Sequence, residues 1–383
     1  MMTTPAPGSE LLLPRKTLPQ RIFGLNSVKL AVALIGIFLF FVVAIGVQEA
    51  YRVKRQNRET LEKLAQKGIT LTEEEKAEQL VRPGEEGFSA STRFLGRRNL
   101  ETIARQTTIV GMAALGMTLV IISGGIDLSV GSIVALGTVV IAWLLNKSFF
   151  VSFPLAAALV AVLVCGAFGL LSGALITRLC VVPFIVTLGM MLVVRGAAKG
   201  LSHEQKIDAP DTWLNDLLAS LGKEQSWMLV PVGVWLLVVM AILIAVVLRY
   251  TRLGRHTFAI GSNEQTARLC GVAVERAKVL IYTLCGAFAG LAGLMQFSRL
   301  TVGDPTVAIG LELDVIASVV IGGGSLSGGE GSILGSLVGA LILSVIASGC
   351  SQMGLPNWVQ EIITGVIIIV AVALDRLRHR RAV

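Results

Sequence analysis

Residues 30–47 read LAVALIGIFLFFVVAIGV, a run of eighteen residues without a charged side chain. A run of this length can cross the hydrocarbon core of a bilayer, which is about 30 Å thick. Residues 227–248, WMLVPVGVWLLVVMAILIAVVL, form a second such run. Because the backbone in lipid has to satisfy its own hydrogen bonds, such runs become helices. The sequence therefore predicts an all-α membrane protein, which agrees with 54% hydrophobic and only 15% charged residues.

Further apolar segments raise the predicted number of transmembrane helices to about ten. We place them at residues 29–49, 100–122, 129–146, 150–172, 181–199, 227–249, 279–300, 309–322, 332–350 and 356–374. Ten crossings put both termini on one side. Lys and Arg flank the first and last helices, and such residues concentrate in cytoplasmic segments. We therefore expect cytoplasmic tails at 1–28 and 375–383, and a cytoplasmic loop at 250–278.

The same topology makes residues 50–99 a charged external insertion after the first helix (29–49). The insertion contains more Lys and Arg than Asp and Glu, which the positive-inside rule tolerates best in longer loops. It is either a docking site for a partner or a solvated surface hairpin. The net charge of +8 is explained by basic cytoplasmic segments, so nucleic acid is not an expected partner. Five cysteines scattered singly indicate neither a disulfide framework nor a metal site.

An internal repeat relates the two halves of the chain. LVIISGGIDLSVGSIVAL (119–136) aligns without a gap with VVIGGGSLSGGEGSILGS (319–336), and six aligned positions are identical. The alignment pairs Gly131 with Gly331 and Ser132 with Ser332. It predicts a membrane core at 100–374 with two copies of one helical unit, 100–199 and 279–374, joined by the 227–249 helix and the 250–278 loop.

Each copy joins two apolar runs through glycine and serine, which favours a break in the helix. Broken backbone at membrane depth persists where it is buried in protein or lines a wet cavity. The candidates for a wet solute path are Gly124, Gly125, Asp127, Ser129, Gly131, Ser132, Gly324, Ser325 and Gly331. Asp127 either caps the following helix or contacts the solute. The second glycine-rich segment lacks GxxxxGK[ST], so it does not predict nucleotide binding.

The 250–278 loop contains signals for a short helix outside the membrane. Asn263 or Ser262 is placed to cap a helix over 264–270, and Gly271 is placed to end it. Such a helix is suited to the groove of a cytosolic partner. On the other side, three acidic residues either meet the solute or its delivery protein, or cap the starts of helices; they are Asp304, Glu312 and Asp314.

Three motifs carry a resemblance to a known family. GMTLVIISGGIDLSVGS (116–132), AIGSNEQTARLCGVAVERAK (259–278) and ELDVIASVVIGGGSLSGGEGSILGSLVGALIL (312–343) resemble the ribose-type sugar permeases of bacterial ABC importers. The resemblance spans residues 93–379. It implies a multi-pass homodimer in the bacterial cytoplasmic membrane that imports a simple sugar. It also implies a cytosolic ABC ATPase, often a tandem protein, and a periplasmic or lipid-anchored sugar-binding protein.

The resemblance further implies that ATP is used by the ATPase partner, and that this chain binds no cofactor and has no catalytic residue. It places the ATPase-coupling segment within 261–271. The coupling candidates are Gly254, Arg255, Gly261, Asn263, Glu264, Ala267, Arg268 and Gly271. The chain departs from the family in its long external insertion, and in Ser348-Gly349-Cys350, where the family tends to be rich in Asn.

Two alternative functions stay open at this point. One is a permease of the same architecture for nucleosides, branched-chain amino acids or another small polar solute. The other is an ion-coupled secondary transporter, which would work without an ATPase.

Overall fold

The computed structural model describes residues 25–66, 89, 91–220 and 230–380. Every one of the ten predicted segments contains a helix, and in the described residues seven helices are long and apolar enough to span a membrane. The prediction of an all-α membrane protein is confirmed. The helices are α1 Leu25–Gln66, α2 Arg97–Ile122, α3 Val130–Leu145, α4 Ser148–Ser152, α5 Pro154–Leu179, α6 Pro183–Leu201, α7 Val232–Tyr250, α8 Arg252–Ser262, α9 Glu264–Leu269, α10 Val274–Leu300, α11 Leu311–Ile321, α12 Ile333–Gln352 and α13 Asn357–Arg380.

The first helix is longer than the apolar run that predicted it. α1 has 42 residues, which at 1.5 Å per residue gives about 63 Å, roughly twice the bilayer core. It continues through the predicted boundary at residue 49 into the charged insertion, because apolarity ends there while helix-forming residues go on. The rest of the insertion up to residue 88, the first 24 residues of the predicted 1–28 tail and the last three residues of the predicted 375–383 tail lie outside the described residues.

The end of the insertion packs back onto the membrane-spanning part of α1. The Ser91 hydroxyl donates to the Val42 carbonyl at 2.8 Å. Phe94 is fully buried, with its ring centroid 5.2 Å from that of Phe38 and 6.2 Å from that of Phe41. These contacts fix where α2 begins.

Small residues hold the centre of the bundle together. A Cβ on Gly169 of α5 would lie 2.2 Å from the Tyr282 carbonyl oxygen of α10, and a Cβ on Gly286 would lie 2.5 Å from the Cys165 carbonyl oxygen. Because lipid gives apolar helices no hydrophobic reason to associate, close packing at small residues is a main source of helix pairing in membranes. This interface fixes the position of α10.

A small polar layer covers the end of the bundle away from α8 and α9. Strand β1 (Ile207–Asp208) pairs antiparallel with β2 (Val302–Gly303), and the Asn146 side-chain amide donates to the Asp208 carbonyl at 2.7 Å. Nearby, a single 3₁₀ turn at Asn215–Leu218 buries Leu218.

The two copies of the repeat end their first helices in the same way, but the ungapped register is wrong. α2 is closed by the amides of residues 123, 124 and 125, and α11 by those of residues 322, 323 and 324, with the same bond pattern. Gly124 (φ +79°) therefore corresponds to Gly323 (φ +91°), one residue away from the expected partner Gly324. The next helices begin after Ser129 and Ser332, so the second break is longer, and Ser132 does not correspond to Ser332.

Candidate functional site

Two breaks between helices and the loop that follows α7 meet at one place in the structure. The first break lies between α2 and α3, and the second between α11 and α12. The loop folds into α8 and α9, and we use the name coupling segment, after its predicted role, for residues 252–271. We use the name central junction for the contact among residues 122–125, 261–262 and 327–329.

The contacts at the central junction are between backbone atoms. The Gly329 amide donates to the Ile122 carbonyl at 2.8 Å. A Cβ on Gly261 would lie 1.8 Å from the same carbonyl oxygen and 2.5 Å from the Gly329 nitrogen. A Cβ on Gly328 would lie 3.0 Å from the Gly124 Cα. The coupling segment therefore touches both breaks directly, so a displacement of α8 would act on both copies of the repeat.

The coupling segment contains one helix that the sequence predicted and one that it did not. The Asn263 side chain accepts from the Thr266 amide at 2.8 Å, which confirms the predicted N-cap of α9. Gly271 (φ +82°) follows the end of α9 as expected. α8 was not predicted. It packs closely against the end of α7, since a Cβ on Gly254 would lie 2.0 Å from the Leu248 carbonyl oxygen.

Charged residues of α9 face α10. The Lys278 Nζ lies 2.7 Å from Glu264 Oε2, and the Arg268 Nη2 lies 3.6 Å from Glu264 Oε1. Arg268 also pairs with Glu275. Two of the coupling candidates, Glu264 and Arg268, thus fasten α9 to α10, and Ala267 is buried between them. Arg255 is exposed and donates to the Tyr250 carbonyl at 3.5 Å.

The most exposed apolar residue of the coupling segment is not among the predicted coupling residues. Leu269, the last residue of α9, is 88% exposed. Its neighbours Arg268 and Cys270 are exposed as well. A large apolar side chain in water costs free energy unless a partner covers it. An apolar residue at the end of a short polar helix is therefore a sequence signal for a contact with a partner.

A second connection runs from α9 through α10 to the first break. Lys278 and Tyr282 are four residues apart and lie on the same face of α10. A Cβ on Gly125 would lie 2.4 Å from the Tyr282 hydroxyl oxygen. The ion pair at Lys278 is therefore one helical turn from Tyr282, the side chain that packs against Gly125.

All path candidates of the first break except the exposed Gly124 are buried within the subunit. Asp127, Ser129 and Ser132 have no exposed surface. Asp127 Oδ1 accepts from the Ser129 amide at 2.9 Å and from the Ser129 hydroxyl at 2.5 Å. A carboxylate in this position suits the amino end of α3. It accepts from Ser129, the residue before α3, and α3 itself has no side-chain cap, so the local contacts favour a role for Asp127 in ordering the turn into α3. Passage of solute beside these residues stays a prediction, as it does for the second-copy candidates Gly324, Ser325 and Gly331.

Replacements of Asp127 separate the two interpretations. We expect Asp127→Asn to keep near-normal stability and transport, because the amide oxygen still accepts from Ser129. Asp127→Ala removes the acceptor and should cost about 1–3 kcal/mol, because the buried donors of Ser129 lose their partner. Thermal unfolding of the purified protein and solute uptake measure the two effects. Normal folding with lost uptake in Asp127→Asn would contradict this local role.

Asp304 lies toward the end of the bundle away from the coupling segment and is held there by its neighbours. Its Oδ1 accepts from the Thr306 amide at 2.8 Å and from the Thr306 hydroxyl at 2.6 Å, and its Oδ2 lies 3.1 Å from the Lys206 Nζ. Burial would raise the pKa of Asp304, but the hydrogen bonds from Thr306 and the charge of Lys206 outweigh burial and hold the pKa below its usual value. Asp304 therefore orders the loop before α11.

Glu312 lies deeper in the bundle than the predicted outer mouth. Its Oε1 accepts from the Gly310 amide at 3.3 Å, and a Cβ on Gly131 would lie 2.2 Å from its Oε2. Thr138, seven residues beyond Gly131 on α3, contacts Asp304. Measured along α3, Glu312 therefore lies about 10 Å closer to the central junction than Asp304 does. Asp314 follows on α11 and is partly buried.

Arg195, which sequence analysis did not assign to the site, supports the irregular segment before α11. Its Nη1 donates to the Pro305 carbonyl at 2.9 Å and to the Val307 carbonyl at 2.7 Å. Unpaired carbonyls are costly in a membrane protein, so a cation within an apolar helix was the signal to follow. In the part of the chain that the structure describes, no group of three His, Cys, Asp or Glu residues is placed to hold a metal.

Comparison with known proteins gives consistent matches over the membrane core. Residues 99–372 match the model of a family described as branched-chain amino acid transport system / permease component. The chain is 39% identical over 289 residues to the ribose import permease protein of Escherichia coli K12, which covers 76% of this chain and 89% of that protein.

Two further relatives are named for other sugars. The chain is 37% identical over 288 residues to the L-arabinose ABC transporter permease protein of Azospirillum brasilense (75% of this chain, 83% of that protein). It is 37% identical over 295 residues to the fructose import permease protein of Rhizobium meliloti (76% and 81%). No solved structure matches the chain.

Proposed function

Because the chain belongs to the family of branched-chain amino acid transport system permease components, we propose that it is the membrane-spanning subunit of an ATP-binding-cassette importer for a monosaccharide. Relatives named as permeases for ribose, L-arabinose and fructose support a simple sugar as the solute. These relatives also confirm the family resemblance of the three motifs. The role of the chain is transport, and no step of it needs chemistry on the solute.

The central junction is the observation that carries the mechanism. Gly261 of the coupling segment touches the Ile122 carbonyl, where α2 ends, and the Gly329 amide in the second break. An ATPase that moves α8 and α9 would therefore shift the inner ends of both repeats together. Since packed interfaces have discrete arrangements, such a shift moves the bundle between two access states. A partner biases these states only by its differential affinity for them.

The ATPase partner would dock on the exposed face of the coupling segment. Leu269 presents an apolar side chain there, while Glu264 and Arg268 connect the docked helix to α10. We place this face in the cytoplasm, together with both termini, because Lys and Arg concentrate there. The ATPase, in tandem form, would bind and hydrolyse ATP, and this chain would have no ATPase site of its own.

Two other partners belong to the proposal. A periplasmic or lipid-anchored sugar-binding protein delivers the solute to the outer end, and a second copy of the chain completes a homodimer in the bacterial cytoplasmic membrane. The family supports an ATPase and a solute-binding protein in general. The tandem ATPase and the homodimer rest on the resemblance of the motifs.

Reconstitution tests the proposed function. The chain is placed in proteoliposomes with the ATPase and binding protein encoded by neighbouring genes, and uptake of labelled ribose, arabinose, fructose and leucine is measured. We expect uptake of one sugar that requires ATP on the ATPase side and continues in the presence of a proton ionophore without sodium.

Each alternative function predicts a different result in the same assay. Uptake without the ATPase that collapses with the ionophore would identify an ion-coupled transporter. ATP-dependent uptake of leucine and of no sugar would identify a branched-chain amino acid permease.

A further inference from the structure

A polar cavity lies at the end of the bundle away from the coupling segment. It has a volume of about 350 Å³ and is formed by α2, α10, α12 and α13. α2 and α12 reach it with the ends opposite to the central junction, so the cavity lies in the outer half of the protein. None of the predicted path or outer-mouth residues lines it.

Two polar stripes face each other across this cavity. On α2, Asn99, Thr102 and Gln106 recur at helical spacing, and on α12 Ser344, Ser348 and Ser351 do so. The Ser348 hydroxyl donates to Asn99 Oδ1 at 2.7 Å and joins the stripes. Such stripes within apolar helices indicate a face that is turned away from lipid.

Other lining groups have unused hydrogen-bonding capacity. The Ser351 hydroxyl and the Gln360 side-chain amide make no hydrogen bond within the part of the chain that the structure describes. Gln360 is partly buried. Since an unpaired polar group facing hydrocarbon is costly, these side chains indicate a space that water or a polar solute enters.

The chemistry of the lining favours one class of solute. Amides and hydroxyls both donate and accept, which matches the hydroxyl groups of a sugar. Among the described residues no carboxylate lines the cavity, and the one cation there, Arg299, is hydrogen-bonded to Gln106. The volume is near the lower end of the roughly 300–1,000 Å³ of small-molecule sites. On the basis of the proposed import function, we propose that this cavity is the outer solute site. It takes one neutral, polyhydroxylated molecule of monosaccharide size.

Uptake by two lining variants tests this site. We expect Gln360→Leu and Ser348→Ala each to lower the rate of sugar uptake at least about fivefold, because each removes hydrogen bonds to the solute without a substitute. The complex of permease, ATPase and binding protein is used, with ribose, arabinose and fructose as probes. The matched control is Gln56→Leu, an exposed glutamine on the extension of α1, which should transport like the unmodified protein.

A labelling experiment keeps the proposal testable if a lining variant fails to fold. Ser351→Cys should react with a membrane-impermeant maleimide added from the outer side, and the transported sugar should slow the reaction. Tyr51→Cys, at a 69% exposed position outside the cavity, should react without protection.

The outcomes separate this inference from the proposed function. If the unmodified complex imports no sugar, the proposed function fails. If the complex imports sugar while both lining variants match it and the sugar does not protect Ser351→Cys, the import function stands and the solute site is wrong. Protection by leucine and by no sugar would overturn the assigned class of solute.

Discussion

Gly261→Val is expected to reduce ATP-driven uptake to less than about a tenth of normal, while the protein still inserts into the membrane. Even the Cβ atom would lie 1.8 Å from the Ile122 carbonyl oxygen, and real Cβ atoms do not approach other atoms within 3.0 Å. The end of α8 therefore has to move away from the first break by about 1 Å or more. Close-packed interiors transmit such displacements rather than absorb them. The central junction would open, and a motion of the coupling segment would no longer reach the repeats.

Two measurements and a matched control make this prediction specific. Uptake and the stimulation of ATPase activity by the solute-loaded binding protein are measured in the same proteoliposomes, and both should fall together. Gly196→Val, in α6, is the control, because no atom of the described residues lies within 4 Å of a Cβ at that position. Normal uptake by Gly261→Val would show that the junction contact does not carry the motion.

The sequence was sufficient for the local features of this protein and insufficient for its junction. The seven long helices follow from apolar length, and the N-cap by Asn263 follows from its position before α9. The meeting of Gly261 with residues 122 and 329 depends on how three distant segments pack, and no local pattern encodes that. The predictions therefore placed Gly124 on a solute path and Gly261 in ATPase coupling, although both glycines belong to the central junction.

The repeat shows how far identity can mislead about register. Ser132 and Ser332 are identical in an ungapped alignment, but Ser332 caps α12 through the Gly335 amide, whereas Ser132 lies inside α3. A glycine-rich segment supplies chance matches, and its length changes without disturbing the helices on either side. The hydrogen bonds that close α2 and α11 show the true correspondence.

The sequence also could not predict which neighbour or cavity each polar side chain faces. Asp127 looked like a candidate for solute contact because acids are rare in membrane helices, yet its partner is Ser129, two residues away. Ser348, in the segment that departs from the family pattern, lines the polar cavity formed by α2, α10, α12 and α13. Whether a polar side chain faces a neighbour or a cavity depends on helix rotation, which packing determines.

Glu264→Lys is expected to abolish the coupling of ATP hydrolysis to uptake, with insertion and thermal stability close to normal. The new lysine would stand beside Lys278 and Arg268, so attraction becomes repulsion at the contact between α9 and α10. Since the Glu264 side chain is 42% exposed, the stability cost should be small, about 1 kcal/mol or less. Uptake and binding-protein-stimulated ATPase activity are the measurements. Glu59→Lys, which breaks an ion pair with Arg55 four residues away on the extension of α1, is the control and should transport normally.

The exchange of both charges distinguishes two roles for Glu264. If Glu264 fastens α9 to α10, Glu264→Lys combined with Lys278→Glu restores the ion pair, and uptake should recover at least in part. If Glu264 instead contacts the ATPase, the double variant stays inactive, because position 264 still carries the wrong charge. The geometry favours recovery: Glu264 Oε2 lies 2.7 Å from the Lys278 Nζ, and that lysine is one turn from Tyr282, which supports the first break. An uncoupled double variant would assign Glu264 to the partner surface and leave Gly261 as the direct connection to the repeats.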